Sequence, residues 1–190
     1  MITSKYLLRS IIKSEKRLYF SDNKEMLIMG LISDPKFLIW RYVVSLRKLE
    51  YWHGMWHKNN RLYSKFMWVY CRYRHNRRGI KLGIDIWDNS IDRGLMIWHA
   101  GSIIINGNAK IGSNCTIHGA VCIGNNGKSS KCPTIGDNVD IGVGSYILGN
   151  VKIPDNTVIG AGAVVVSSFQ QEGLTLVGIP AHPLKGLDEE

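Results

Sequence analysis

A chain of 190 residues, 45% of them apolar, is long enough to fold around one sizeable core, and this composition excludes a disordered chain and a multi-span membrane protein. The net charge of +9 hides two different halves: residues 1–83 carry 18 Lys and Arg against 5 Asp and Glu, whereas residues 84–190 carry 6 against 10. The four cysteines form no CxxC pair, which indicates reduced thiols in a cytosolic protein.

The first 83 residues have the periodicity of helices. A helix is expected at about 4–19, where cations interrupt the apolar residues too often for a secretory signal. Another is expected to begin with Ser33 or Asp34 as its N-cap and Pro35 at its first position. In residues 60–76, apolar side chains recur at the spacing of one buried helix face. They are Leu62, Tyr63, Phe66, Met67, Tyr70 and Tyr73. We therefore predict an α-helical domain of two to four helices at 1–83.

This helical half combines its cations with tryptophans and tyrosines, and the run RYRHNRR at 72–78 is its most basic part. The simplest interpretation is the solvated face of an oligomerisation domain. A second is contact with the anionic cytoplasmic face of a membrane, and a third, less favoured, is binding of nucleic acid. His53 and His57 have the i, i+4 spacing of metal ligands, but no third ligand accompanies them, so no metal is predicted.

From residue 105 the period changes to six. Nine units begin with isoleucine, the fourth position of eight of them is Asn or Gly, and the fifth is small or β-branched. Asn and Gly tolerate the left-handed backbone of a tight corner. The spacing therefore predicts a triangular coil of three short strands, with the isoleucines pointing inward. These are Ile105, Ile111, Ile117, Ile123, Ile135, Ile141, Ile147, Ile153 and Ile159, and Val165 continues the series.

The repeat loses its register in the stretch MIWHAGSIII, residues 96–105. Its phase can be followed backwards through Ile97 and Ile91, but eight residues instead of six separate Ile97 from Ile105. Two added residues must bulge outward, and bulges are favoured beside active sites. His99 lies in this bulge and is the first candidate for a functional residue. A second interval is stretched to twelve residues and predicts an extruded loop at 124–134.

The stretches GLMIWHAGSIIINGNAKIGSNCTIHGAVCIGNNGKSS, PTIGDNVDIGVGSYILGNVKIPDNTVIGAGAVVV and VGIPAHPLKG resemble the serine acetyltransferase branch of the hexapeptide-repeat acyltransferases. They look closest to its members among surface-polysaccharide O-acetyltransferases. The resemblance implies a mostly β chain: a left-handed parallel β-helix at 84–186, preceded by the α-helical domain at 1–83 and followed by an acidic tail at 187–190.

The resemblance also implies acetyl-CoA as the co-substrate, no metal, and homotrimers with acetyl-CoA lying between neighbouring β-helices. A dimer of trimers joined through the N-terminal helices is left open. The expected location is the cytoplasm, at the inner face of the membrane if the basic half binds lipid.

The resemblance assigns roles to individual residues. His99 matches the catalytic histidine and is expected to take the proton of the acceptor hydroxyl as its oxygen attacks the thioester. An orienting carboxylate is needed on the other ring nitrogen. Asp85 in GIDIW matches the family's aspartate, but its spacing to His99 is one residue short, so Asp88 stays open.

The remaining candidates concern the acceptor and acetyl-CoA. His118, one coil after Trp98, is expected to stack over it, and both are candidates to bind the acceptor. The loop is expected to contact acetyl-CoA, and small residues of later coils are expected to line the same groove. The candidates are Gly124, Asn125, Gly127 and Lys128 in the loop, Gly142, Gly144, Gly160 and Ala161 in the groove, and Lys185 for the adenosine phosphates.

Departures from the family pattern concern the acceptor. The family has an Asp where this chain has Trp98, and an Arg-His pair where it has Lys131 and Cys132. Because losing a charge-paired contact costs about 1.5–3 kcal/mol, free serine is expected to bind poorly, whereas Trp98 offers a face to a sugar ring. The sequence therefore predicts an O-acetyltransferase acting on a sugar or surface polysaccharide. The alternatives are serine O-acetyl transfer in cysteine biosynthesis, a zinc enzyme of the γ-carbonic anhydrase type, and a non-catalytic β-helix scaffold.

Overall fold

The computed structural model of the protein describes residues 2–184. Its helices are α1 (Lys5–Tyr19), α2 (Asn23–Leu31), α3 (Pro35–Asn59) and α4 (Leu62–Leu82). Asp34 is the N-cap of α3 and accepts a hydrogen bond from the backbone N–H of Lys36 at 2.8 Å, while Pro35 occupies the first turn, where its missing N–H costs nothing. Gly83, at φ +65°, ends α4 and turns the chain into the first strand.

Fourteen short strands follow within the described residues, and the chain visits three sheets in a repeating order. Sheet I contains β1, β3, β6, β9 and β12, sheet II contains β4, β7 and β10, and sheet III contains β2, β5, β8, β11, β13 and β14. All pairings are parallel except that of β13 with β14. The strands are β1 (Ile84–Ile86), β2 (Met96–Ile97), β3 (Ile103–Ile105), β4 (Lys110–Ile111), β5 (Thr116–Ile117), β6 (Cys122–Gly124), β7 (Thr134–Ile135), β8 (Asp140–Ile141), β9 (Tyr146–Leu148), β10 (Lys152–Ile153), β11 (Val158–Ile159), β12 (Val164–Val165), β13 (Thr175–Val177) and β14 (His182–Pro183).

The parallel sheets have the coiled architecture predicted from the six-residue spacing, but the prediction of a mostly β chain is wrong. The described residues are 38% helical and only 19% in strands. The reason is geometric: each side of a coil holds a strand of two or three residues, and the corners between strands take up the rest of every repeat.

The repeating isoleucines form the core of the coils. In sheet III, Ile97 pairs with Ile117 and Ile117 with Ile141, so that side chains of the same kind stack from coil to coil. Every predicted inward position is at most 4% exposed. Burial of each such side chain contributes about 1.5–3 kcal/mol.

Corner residues support the same stacking. Six of the nine predicted corner positions have positive φ: Asn114, Ala120, Asn138, Gly144, Asn156 and Gly162. Three of these asparagines form a ladder, in which the side-chain amide of Asn114 donates to Asn138 and that of Asn138 donates to Asn156. The side chains therefore repeat the coil-to-coil hydrogen bonding of the strands.

The helices cover the open end of the first coil with buried polar side chains. The Tyr19 hydroxyl accepts from the N–H of Ile97 at 2.9 Å, and the Tyr42 hydroxyl accepts from the N–H of Ile86 at 3.0 Å. Backbone groups at the edge of a sheet need such partners when water is excluded. Burial raises the pKa of both phenols, so each stays protonated.

Arg47 joins the helices to the same coil. Arg47 is 1% exposed, and its guanidinium pairs with Glu15 and Glu50 and donates to the carbonyl groups of Ile91 and Asp92. Glu15 in turn accepts from backbone N–H groups of the coil. The charged cluster is thus fully hydrogen-bonded, as burial of charge requires.

The predicted buried face of α4 is wrong. Leu62 is 83% exposed, and Tyr63, Phe66 and Tyr73 are each more than half exposed. The buried residues of α4 are Ser64, His75 and Gly79. The helix packs against α3 and β1 through this narrow, mostly polar side, because the backbone of the first coil needs hydrogen-bond partners there. The aromatic side faces outward.

Two features predicted near the C-terminus, Lys185 and the acidic tail at 187–190, lie outside the described residues. Among residues 2–184, no helix has the length and apolarity that crossing a bilayer requires.

Candidate active site

His99 lies at the corner where the chain passes from sheet III to sheet I. Between paired positions, six residues, 98–103, separate Ile97 from Ile104, whereas four, 118–121, separate Ile117 from Cys122 in the next coil. The corner closes with Gly101 at φ +106° and Ser102 at φ +50°. The His99 side chain is exposed. The added residues therefore direct the imidazole away from the core of the coil.

Trp98, His118 and Asp140 form a connected group beside His99. The N–H of Trp98 donates to the carbonyl of Ile117, which places His118 one coil above it, and the two rings stack with centroids 6.1 Å apart and planes 11° apart. The Nε2 atom of His118 lies 2.7 Å from Oδ1 of Asp140 in the coil above. Side chains from three successive coils thus form one polar and aromatic surface.

Small residues continue this corner beyond His99. A Cβ atom added to Gly119 would lie 3.3 Å from the Cβ of His99. A Cβ atom added to Gly101 or Gly162 would have no heavy atom within 4 Å apart from those of the adjoining residues. A side chain on Gly142 would approach the N–H of Ala161 to 2.6 Å. Side-chain cover is therefore sparse at Gly101 and Gly162, whereas Gly142 is small because the next coil packs directly against it. Four of the predicted residues lie at the same corner of later coils, where the chain passes from sheet III to sheet I: Gly142, Gly144, Gly160 and Ala161.

Asp85 and Asp88 have different surroundings. Asp85 lies on β1, is exposed, and pairs in register with Ile104. Within residues 2–184, no hydrogen bond joins it to His99. Asp88 is 8% exposed, and its carboxylate is already paired with Arg72 and with Nδ1 of His53. Asp88 thus joins α3 and α4 to the first coil, and its carboxylate is engaged there rather than beside His99.

The stretched interval forms a loop at 125–133, between β6 and β7, one residue shorter at each end than expected. Gly124 belongs to β6, while Asn125, Gly127 and Lys128 lie in the loop. The loop leaves the coil at the corner from sheet I to sheet II, so within one chain it lies on a different corner from His99. Lys131 and Cys132 stand where the family has an Arg-His pair. Lys131 is exposed, whereas Cys132 is buried.

Sequence reasoning missed Asp140. Its signal was present, because Asp140 precedes Ile141 just as Thr116 precedes Ile117, which places it one coil above Thr116 on the outer face of sheet III. Counting coils from His118 would have identified it as a neighbour. Its carboxylate is 47% exposed, so it contributes charge to this surface without being part of the core.

His53 and His57 are joined to each other, with their Nε2 atoms 2.8 Å apart, and His53 also contacts Asp88. Within the described residues, no group of three or more His, Cys, Asp or Glu side chains is arranged to hold a metal ion.

Solved serine acetyltransferases share this fold. The soybean enzyme complexed with serine gives a TM-score of 0.71 at 27% identity, over 93% of this chain and 69% of that enzyme. The Neisseria gonorrhoeae enzyme in complex with serine gives 0.68 at 26% identity, over 94% and 70%. A serine acetyltransferase in complex with CoA gives 0.63 at 25% identity, over 80% and 60%.

No protein-family model matches the chain, and no curated protein matches it by sequence. The chain spans 58% of the length of a serine acetyltransferase solved with cysteine. The predicted likeness to the left-handed, hexapeptide-repeat β-helices of the acyltransferases is confirmed by these structures.

Proposed function

We propose that this protein is an acetyl-CoA-dependent O-acetyltransferase and that His99 is its general base. The observation that carries the proposal is the exposed imidazole at the two-residue insertion, on a corner where Gly101, Gly119 and Gly162 leave little side-chain cover. The likeness to serine acetyltransferases, one of them in complex with CoA, supports the same reaction class.

In the proposed reaction, His99 accepts the proton of an acceptor hydroxyl while the oxygen attacks the thioester carbonyl. A C–O bond forms, the C–S bond breaks, and the thiolate of CoA leaves and takes the proton back from the imidazolium. An unassisted hydroxyl is a poor nucleophile at neutral pH, and positioned proton removal typically contributes about 10²–10⁴-fold to the rate.

The proposed site is shared between copies of a homotrimer. His99 and the loop at 125–133 lie on different corners of one coil, so both contact one acetyl-CoA molecule only if the loop comes from a neighbouring copy. Asp85 lies on the outer face of sheet I, between these two corners, beside the exposed Ile104. We propose that assembly brings Asp85 into the site, where it orients His99.

Two acceptors are in competition. The comparisons favour serine over the sugar predicted from the sequence, because the soybean and Neisseria enzymes are serine acetyltransferases in complex with serine. The specific observation in favour of a sugar is the stacked pair of Trp98 and His118 beside His99, since flat aromatic faces suit the apolar side of a sugar ring. Serine is the leading acceptor, and a carbohydrate hydroxyl is the second candidate.

A panel of acceptors tests this proposal. Release of free CoA thiol from acetyl-CoA is measured with serine, free sugars, nucleotide sugars and capsular glycans. The highest kcat/KM is expected for serine, and a glycan or sugar as the best acceptor would reverse the order of the two candidates. Absence of turnover with every hydroxyl compound would contradict O-acetyl transfer itself.

Replacement of the histidine tests its role. His99→Ala is expected to lower kcat by about 10²–10⁴-fold while the affinity for CoA stays nearly unchanged. The control is His57→Ala, which removes an exposed imidazole from α3 and is expected to leave the kinetics unaltered. Full activity of His99→Ala would remove His99 from the mechanism.

A further inference from the structure

The outward face of α4 is apolar from Leu62 to Tyr73 and again at Ile80, with the exposed Asn76 and Arg77 between them. Leu62, Phe66, Val69, Tyr73 and Ile80 recur at intervals of three, four or seven residues and are between 52% and 83% exposed. A stripe of this kind normally packs against another element, and contiguous exposed apolar surface marks an interaction site. No packing role within the described chain accounts for it.

Cations border this stripe. α4 carries six Lys and Arg residues and no Asp or Glu. Arg74 donates to the Tyr70 hydroxyl and Arg77 to the Tyr73 hydroxyl, each at 2.9 Å, and both guanidiniums lie within 6 Å of the ring they bond. The tyrosines thus hold positive charge at the edge of the apolar surface.

Three adjoining clefts separate α4 from α1 and α3, with volumes of about 510, 400 and 270 Å³. Among residues 2–184, eight Lys and Arg side chains line them and no Asp or Glu does, and Arg78 lines all three. Partial burial, together with Arg74 and Arg41, lowers the pKa of Arg78. The clefts therefore hold unbalanced positive charge, which an anionic ligand would neutralise.

These two features together select the partner. A second copy of α4 would bring cation against cation. Nucleic acid would leave the aliphatic side chains of Leu62, Val69 and Ile80 without apolar contacts. An amphipathic helix with aromatic and aliphatic residues on one face and cations beside it is typical of helices that lie in a membrane interface.

We propose that the exposed face of α4 and the cationic clefts beside it, here called the α4 surface, bind an anionic phospholipid membrane. The apolar stripe enters the boundary between headgroups and acyl chains, and Arg41, Lys48, Arg74 and Arg78 bind lipid phosphates. The proposal does not depend on acetyl transfer, since the α4 surface lies on the helical part and contains no residue of the proposed active site.

Co-sedimentation of the full chain with vesicles tests the proposal. Binding is expected to vesicles of mixed phosphatidylglycerol and phosphatidylcholine and to be much weaker with phosphatidylcholine alone, and to fall as salt is added. Equal binding to both vesicle types, or binding to neither, would overturn the proposal. Tighter binding of a DNA or RNA duplex than of anionic vesicles would also overturn it.

Matched variants separate the α4 surface from the net charge of the protein. The triple variant Arg74→Glu, Arg77→Glu, Lys81→Glu is expected to lose about 100-fold in partitioning onto anionic vesicles. The control makes the same charge change on exposed residues of the β-helix, with Arg93→Glu, Lys110→Glu and Lys152→Glu, and is expected to bind like the wild type. Equal loss in both triple variants would show a general charge effect and contradict the proposal.

The apolar stripe has its own test. Leu62→Ser with Phe66→Ser is expected to lower vesicle binding at least about 10-fold with every charge retained. Circular dichroism checks that the variants are folded, and acetyl-CoA turnover without vesicles is expected to be unchanged. Undiminished vesicle binding would contradict the role of the stripe, and a smaller assembly of the free protein would instead identify it as an interface between copies.

Discussion

His118, in the second coil, contacts Asp140 in the third, and both side chains are partly exposed. Their hydrogen bond holds the His118 ring parallel to Trp98. Because exposed pairs of this type are worth only about 0.2–1 kcal/mol, Asp140→Asn is expected to raise the KM of the acceptor by about 2- to 5-fold. The kcat and the KM of acetyl-CoA are expected to stay the same.

The control for this variant is Glu172→Gln, which removes the same charge from an exposed position near the C-terminus and is expected to leave the kinetics of both substrates unchanged. A fall in kcat for Asp140→Asn as large as that of His99→Ala would contradict the assignment. It would indicate that His118, held by Asp140, is the general base.

His75 gives the fold a pH dependence. Burial lowers its pKa from 6.5 to about 4, so the unfolded chain binds a proton more readily than the folded chain. The stabilisation is complete above pH 6.5 and is lost as the pH falls towards 4, by at most about 3 kcal/mol. Urea unfolding between pH 7 and pH 4 measures this loss.

His75→Gln is expected to flatten the stability profile across that pH range, although the variant is less stable at pH 7. His57→Gln, which changes an exposed histidine, is expected to keep the profile of the wild type. An unchanged slope in His75→Gln would show that other groups cause the acid sensitivity.

Single residues divide into those that the repeat could predict and those that it could not. The stacking of Trp98 and His118 follows from counting one full coil. Counting one coil further would also have placed Asp140 beside His118. The buried pairing of Asp88 with Arg72 and His53 does not follow from any local pattern. It joins residues from three elements, and sequence spacing contains no information about how separate elements dock.

At the scale of elements, the helices and the first coil are joined by charge. Arg47→Met would leave Glu15 and Glu50 buried without a cation and two backbone carbonyls without a donor. Breaking a buried ion pair typically costs about 3–5 kcal/mol. The free energy of unfolding is expected to fall by about this amount, measured by urea titration at pH 7.

The neighbouring Lys48→Met serves as the control. Lys48 is exposed on the same helix, and its replacement is expected to change the free energy of unfolding by less than about 0.5 kcal/mol. A similar small effect for Arg47→Met would show that the cluster is not what holds the helices to the coil.

Elements also show where sequence patterns stop being informative. The six-residue spacing predicted the inward side chains of the coils because that spacing is set by the coil itself. The helical period of α4 correctly indicated an apolar face, but it predicted burial for the side that is exposed. Periodicity locates an apolar face and does not identify what covers it, and here the chain uses polar residues of α4 to contact the first coil.

At the scale of the whole molecule, the shared site of the proposed trimer predicts complementation. His99→Ala and a variant lacking residues 126–131 are each expected to be inactive. When the two are unfolded together in equal amounts and reassembled, about one quarter of the interfaces would combine an intact histidine with an intact loop. About one quarter of wild-type activity is therefore expected to return.

Mixing the two variants after separate assembly provides the control and is expected to give no activity. No recovery after joint reassembly, in trimers shown by native mass spectrometry to contain both variants, would place histidine and loop function within one chain and contradict a site shared between copies.

One consequence follows from the phenols of Tyr19 and Tyr42. Each coil offers the next the same hydrogen-bonding edge, so a stack of coils has no inherent length limit. Here the lower edge is saturated by side chains of the helices, and the upper end is folded back by the antiparallel β14. A chain cut before residue 84 would lose these contacts and expose the lower edge to the same edge of a second copy, so the helical half protects the protein against edge-to-edge association.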